Sequence, residues 1–110
     1  MAVFKNVPSK RIINGNVIET SESAIVTNPY YKTDGEYVIV TKGVEYCELF
    51  LDSNTTDHVV VKSLTNTLIK TDSLIDEEFN EIELTKGSCV EFKKIGNFWY
   101  VLSSDGLKNS

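Results

Sequence analysis

Hydrophobic positions in this chain recur with period two over short runs, the alternation that places successive side chains on opposite faces of a β-strand. Glu81-Ile82-Glu83-Leu84 is the cleanest case, with one face wet and one dry. Further apolar runs lie at 30–33, 36–40, 44–51, 58–64, 68–70 and 88–102, with turn residues between them. They recur at intervals of roughly 8–12 residues, the spacing of an all-β sandwich or barrel. The pattern predicts an all-β, antiparallel domain over 29–110. Asp34-Gly35, between two of the runs, reads as a hairpin turn, because both residues tolerate the positive φ of tight turns. Asp52 to Asp57 is rich in turn residues. Residues 72–79 carry Asp72 or Ser73 as a cap and early carboxylates, but are long enough for only a turn or two of helix, and are read as a loop.

The stretch 88–102 organises the rest. It holds the only tryptophan, and Gly96-Asn97 between two apolar runs predicts a two-residue hairpin. Closing there sets Phe92 opposite Val101 and puts Val90 and Trp99 on the same side. Glu91, Lys93, Phe98, Tyr100 and Leu102 fall on the other. That second face is apolar enough to need a cover, either a second sheet or a neighbouring subunit. Ser103-Ser104-Asp105-Gly106 is turn chemistry that ends the last strand, leaving 107–110 as a tail.

Residues 1–28 read differently. Short apolar pieces at Val3-Phe4, Ile12-Ile13, Val17-Ile18 and Ala24-Ile25-Val26 are separated by polar residues. The segment is either an extended arm that orders against a partner, or a small hairpin turned at Asn14-Gly15 with Ile13 opposite Asn16.

Composition narrows the class more than the fold. At 110 residues the chain fits one domain, and a net charge of −5 without a basic stripe argues against nucleic acid or an anionic membrane as the main partner. No apolar segment reaches the roughly 20 residues of a membrane-spanning helix. Cys47 and Cys89 match no zinc or CxxC spacing, and read as small buried hydrophobes, with a pairing between them geometrically open.

Candidate chemistry is sparse. Asp72, Asp76, Glu77, Glu78, Glu81 and Glu83 form the densest titratable run, but nothing fixes the carboxylate pair that glycoside hydrolysis needs. Asp52-x-Asn54-x-x-Asp57 offers oxygen ligands yet fails the EF-hand pattern. His58 is the sole histidine, and no GxSxG, HExxH, GxGxxG or P-loop is present. The expectation is a binding or structural protein, not an enzyme, with no catalytic residues, cofactor or metal.

The order of features from Val59 to Gly106 resembles a β-module of bacteriophage capsid-decoration, head-fibre and tail-fibre proteins. It is carried by His58-Val59-Val60-Val61-Lys62, Leu68-Ile69-Lys70, Leu74-Ile75-Asp76, Ile82-Glu83-Leu84, Lys86-Gly87-Ser88-Cys89-Val90 and Asn97-Phe98-Trp99-Tyr100-Val101-Leu102. The chain departs from the pattern at Glu77, where glycine often follows the aspartate. The resemblance implies a virion structural protein assembled in the host cytoplasm, commonly a homotrimer of small antiparallel β-sandwich or β-tulip/jelly-roll-like domains. It implies that Phe98, Tyr100 and Leu102 meet another subunit, and that Phe4, Lys10, Arg11, Ile12 and Ile13 act in an arm reaching the major capsid protein, another virion protein or an adjacent subunit. Tail-fibre or baseplate components use the same module. A carbohydrate-binding β-domain working through Trp99, Tyr30, Tyr31 or the acidic loop is the alternative of a different class.

Overall fold

Eleven strands carry the described part of the chain, with no helix among them. The computed structural model describes residues 10–13, 16–19 and 22–105, with side-chain surroundings over 22–104. Strands β1 (Lys10–Ile13) and β2 (Asn16–Glu19) form a two-stranded sheet of their own. The others are β3 (Ser23–Val26), β4 (Tyr30–Lys32), β5 (Val38–Thr41), β6 (Tyr46–Leu51), β7 (His58–Ser63), β8 (Asn66–Ile75), β9 (Phe79–Leu84), β10 (Cys89–Ile95) and β11 (Phe98–Asp105). These nine make one sheet in the order β3-β5-β7-β10-β11-β8-β6-β4, with β9 also on β8.

The all-β expectation holds, but the sheet is mixed where an antiparallel one was expected. β3, β5 and β7 run parallel, as do β4, β6 and β8, and one parallel bridge joins Trp99 of β11 to Ile75 of β8. Only β8–β9, β7–β10 and β10–β11 are antiparallel in this sheet. From β3 to β8 the chain therefore alternates between two stacks, adding one strand to each in turn. Asp34-Gly35 shows why local turn chemistry misled. Gly35 does take a positive φ of 93°, yet β4 pairs with β6 and β5 pairs with β3 and β7, so the turn is a corner between stacks and not a hairpin. Successive corners are tied together: the Gly35 N–H donates to Thr56 Oγ1 at 2.8 Å, the Asp52 N–H donates to Thr33 Oγ1 at 2.8 Å, and Thr55 Oγ1 donates to the Thr33 carbonyl at 2.8 Å. Buried polar side chains survive here because each is hydrogen-bonded.

The sheet folds over so that its two halves face one another. Thr41 Oγ1 of β5 lies 2.7 Å from Thr67 Oγ1 of β8, although three strands, β7, β10 and β11, lie between them in the sheet order. Between the halves sit Ile39, Val61, Val90 and Phe92 from one and Leu49, Leu51, Ile69, Ile75, Leu84 and Trp99 from the other, all fully buried. Alternation does the sorting: β6 and β7 bury every second residue.

Three local readings need correction. β3, within the stretch read as an arm, pairs with β5 and places Val26 in the core. Residues 72–79 are not a loop: β8 continues to Ile75, and Asp76 (φ 53°) and Glu77 (φ 62°) turn a hairpin into β9. Two successive positive φ values are what a type I′ turn requires, so the pair does without the usual glycine. Finally, β11 runs on through Ser103 and Ser104 to Asp105, because all three pair with β10.

Candidate assembly surface

The hairpin of β10 and β11 closes as its sequence predicts. Gly96 takes a positive φ of 62°, and the register sets Ile95 opposite Phe98, Lys93 opposite Tyr100 and Phe92 opposite Val101. Val90, Phe92 and Trp99 are fully buried and Val101 packs against the core, so the inner face is the expected one. A register shift between Glu91 and Phe92 leaves Leu102 as the extra residue of a bulge, since Glu91 pairs with Ser103.

The outer face carries Ile95 (54% exposed), Phe98 and Tyr100 (both half-buried) and Leu102 (53% exposed). Ile95 joins the three residues singled out from sequence. Its cross-strand pairing with Phe98 is the signal that could have found it. Phe4 lies outside the described residues. Lys10, Arg11, Ile12 and Ile13 are β1, paired with β2 so that Ile13 faces Asn16, the small-hairpin form of the N-terminal segment.

The β8–β9 turn holds this hairpin in place. The Asp76 N–H donates to the Trp99 carbonyl at 2.7 Å, and the Val101 N–H donates to Asp76 Oδ1 at 3.0 Å. Tyr100 Oη donates to Glu77 Oε2 at 2.9 Å, which pushes the phenol pKa above its ordinary value. Beneath the turn, Trp99 Nε1 donates to Asp72 Oδ1 at 3.3 Å while Ser53 donates to the other carboxylate oxygen through its N–H and its hydroxyl. Burial raises the Asp72 pKa, but these hydrogen bonds outweigh it and leave the carboxyl below its ordinary value. The acidic run is thus divided: Asp72, Asp76 and Glu77 bind β11 or its support, and Glu78, Glu81 and Glu83 face solvent.

A polar group borders the strip on β7 and β10. His58 Nε2 lies 2.5 Å from Glu91 Oε2, and Ser103 Oγ donates to Glu91 Oε1 at 3.2 Å. The His58 hydrogen bond holds the Glu91 carboxyl below its ordinary pKa. The Tyr37 ring meets the imidazole edge-on at 4.8 Å, and Lys93 pairs with Asp57 at 3.3 Å. The carboxylate sits between serine and histidine, so no base faces a nucleophile and the set is not a catalytic triad.

The remaining candidates are placed as follows. Cys47 is a buried free thiol in the core, whereas Cys89, also free, is half-buried on the outward side of β10 and not in the core. Asp52 is buried, and its carboxylate accepts from the Asn54 N–H at 3.0 Å and pairs with Lys32 at 3.6 Å. Trp99, with no exposed surface, offers no platform to a sugar; Tyr31 is half-buried with its hydroxyl on Glu36, and Tyr30 alone of that group is open, at 70% exposure. Among the described residues no three His, Cys, Asp or Glu side chains converge as a metal site. Compared with known proteins, the chain matches no family model and no curated sequence.

Proposed function

We propose that this chain is a bacteriophage structural protein that decorates or cements the capsid or forms the base of a head fibre, acting as a homotrimer and not as an enzyme. The observation that carries the reading is the outer strip Ile95, Phe98, Tyr100 and Leu102, on a β10–β11 hairpin that is hydrogen-bonded to the Asp76-Glu77 turn. Aromatic and aliphatic side chains on a fixed surface suit the centre of a subunit contact. A threefold arrangement would cover each strip with a neighbouring copy, and the folded-over sheet would serve as the sandwich-like unit of such modules. Phe4, Lys10, Arg11, Ile12 and Ile13 would then engage the major capsid protein, with weak contacts multiplied by trimer valence. The protein would be assembled in the host cytoplasm and retained in the virion, with no nucleic acid, membrane or cofactor as partner.

Electron microscopy of virions built with a labelled copy tests this reading. Label on the head is the expected outcome. Label on the tail transfers the protein to the tail-fibre or baseplate reading, and particles without label contradict a virion role altogether.

A further inference from the structure

Among the described residues, strand β3 has a partner on one side only. Its neighbour β5 takes the Glu22 carbonyl through the Val38 N–H at 3.3 Å and the Val26 carbonyl through the Lys42 N–H at 3.0 Å. Backbone groups alternate along a strand, so Glu22, Ala24 and Val26 address β5 while Ser23 and Ile25 turn their N–H and C=O to the open edge. Open edges are normally protected by charge, proline or a bulge. β9, also at an edge, carries Glu81 and Glu83, and β4, which begins directly after Pro29, carries Lys32. β3 is Ser-Ala-Ile-Val and has none of these. It also presents Ile25 at 68% exposure on the outward side, with Val40 of β5 beside it in register. The nearest strand in the chain, β2, is paired with β1.

We infer that the β3 edge is a self-association surface whose occupant is β3 of a second copy, paired antiparallel about a twofold axis through Ile25. The parity of the strand selects this register. Residues facing each other across an antiparallel ladder must lie on the same side of the sheet. Ile25 opposite Ile25 of the second copy meets that condition, setting Ala24 against Val26 on the inner side and Ser23 against Thr27 on the outer. Shifting by one residue would oppose the exposed Ile25 to the core-packed Ala24 or Val26. In the chosen register the two Ile25 residues exchange N–H and C=O with each other, and Ser23 does so with Thr27, which are the groups directed at the open edge. No like charges face across the axis, since Glu22 stands opposite Asn28. The contact is isologous and extends the sheet from one copy into the next. Strands β5 and β7 separate it from the β10–β11 strip, and it does not depend on the virion reading.

Amide hydrogen exchange, read residue by residue by NMR on the full chain, tests the pairing. Raising the protein from about 10 μM to about 1 mM should slow exchange at Ser23, Ile25 and Thr27 by about tenfold or more, as mass action requires of a weak contact. Ala24 and Val26, already bonded to β5, should change little and so report that the fold is intact. Ile25→Lys sets two ammonium groups face to face across the axis and should abolish the concentration dependence at position 25, while Leu102→Ser should leave it in place. Exchange at Ile25 that is fast at every concentration, slow at every concentration, or insensitive to Ile25→Lys overturns the proposal. Slow exchange at every concentration would assign the edge to a strand of the same chain.

Discussion

Two residues illustrate what a single side chain does here and how far it could be read in advance. Trp99 is fully buried between the sheet halves, and its indole N–H has a partner in Asp72. Trp99→Ala should therefore cost about 3–5 kcal/mol in denaturant unfolding. A loss under about 1 kcal/mol would mean that the site relaxes around the missing ring. Its burial was legible, because one apolar face of the hairpin had to go inward. Glu77 was legible only as a departure from a pattern. Its positive φ of 62° costs an L-residue roughly 1–2 kcal/mol, and nothing in the composition of 72–79 revealed that a tight turn stood there. In a Tyr100→Phe background, where the hydrogen bond to Glu77 is already lost, Glu77→Gly should raise stability by about 1 kcal/mol on thermal or denaturant unfolding. Destabilisation would show that glycine loses something other than strain. Tyr31 reports on a different term. Its hydrogen bond to Glu36 pushes its pKa to about 12, so between the ordinary value of 10.0 and about 12 the unfolded chain ionises while the folded one stays neutral. Stability should fall as pH rises through that interval, and Tyr31→Phe should flatten the fall.

At the level of elements, the hairpin was readable and the corners were not. β10 and β11 are adjacent in sequence, so turn type and period two fix their register between them. The Leu102 bulge was the part that no local rule indicated. Gly96→Ala should destabilise by roughly 1–2 kcal/mol, because alanine must adopt the same positive φ of 62°. Asp34-Gly35 obeys the same conformational rule but serves a different connection, since a positive φ does not say which strand the chain meets next. What decides it is the non-local bonding of Thr33 and Gly35 to Asp52, Thr55 and Thr56. Surface and core functions of the hairpin separate at this scale. Leu102 is exposed, so Leu102→Ser should change unfolding free energy by under about 0.5 kcal/mol. If Leu102 belongs to the assembly strip, the same variant should still weaken self-association.

For the whole molecule, strand content followed from patterning, while the parallel order of β3-β5-β7 and β4-β6-β8 lay beyond it. Those ladders join residues as far apart as Tyr46 and Asn66, or Val38 and Val60, and alternation is blind to which distant strand supplies the partner. The outer apolar strip was half legible: Phe98, Tyr100 and Leu102 came from the hairpin's faces, and Ile95 was added by its pairing with Phe98. Glu91, on the border of the strip, has a depressed pKa from its His58 hydrogen bond, so its contribution is present above the unfolded value of 4.5 and lost as pH falls through the folded one. Sedimentation equilibrium at low micromolar concentration tests the proposed trimerisation through the strip. The expected wild-type species has three times the 12.4 kDa chain mass, reduced to the monomer by Phe98→Ser with Leu102→Ser. A wild-type chain that sediments as a monomer, or a trimer unaffected by the double variant, would contradict it.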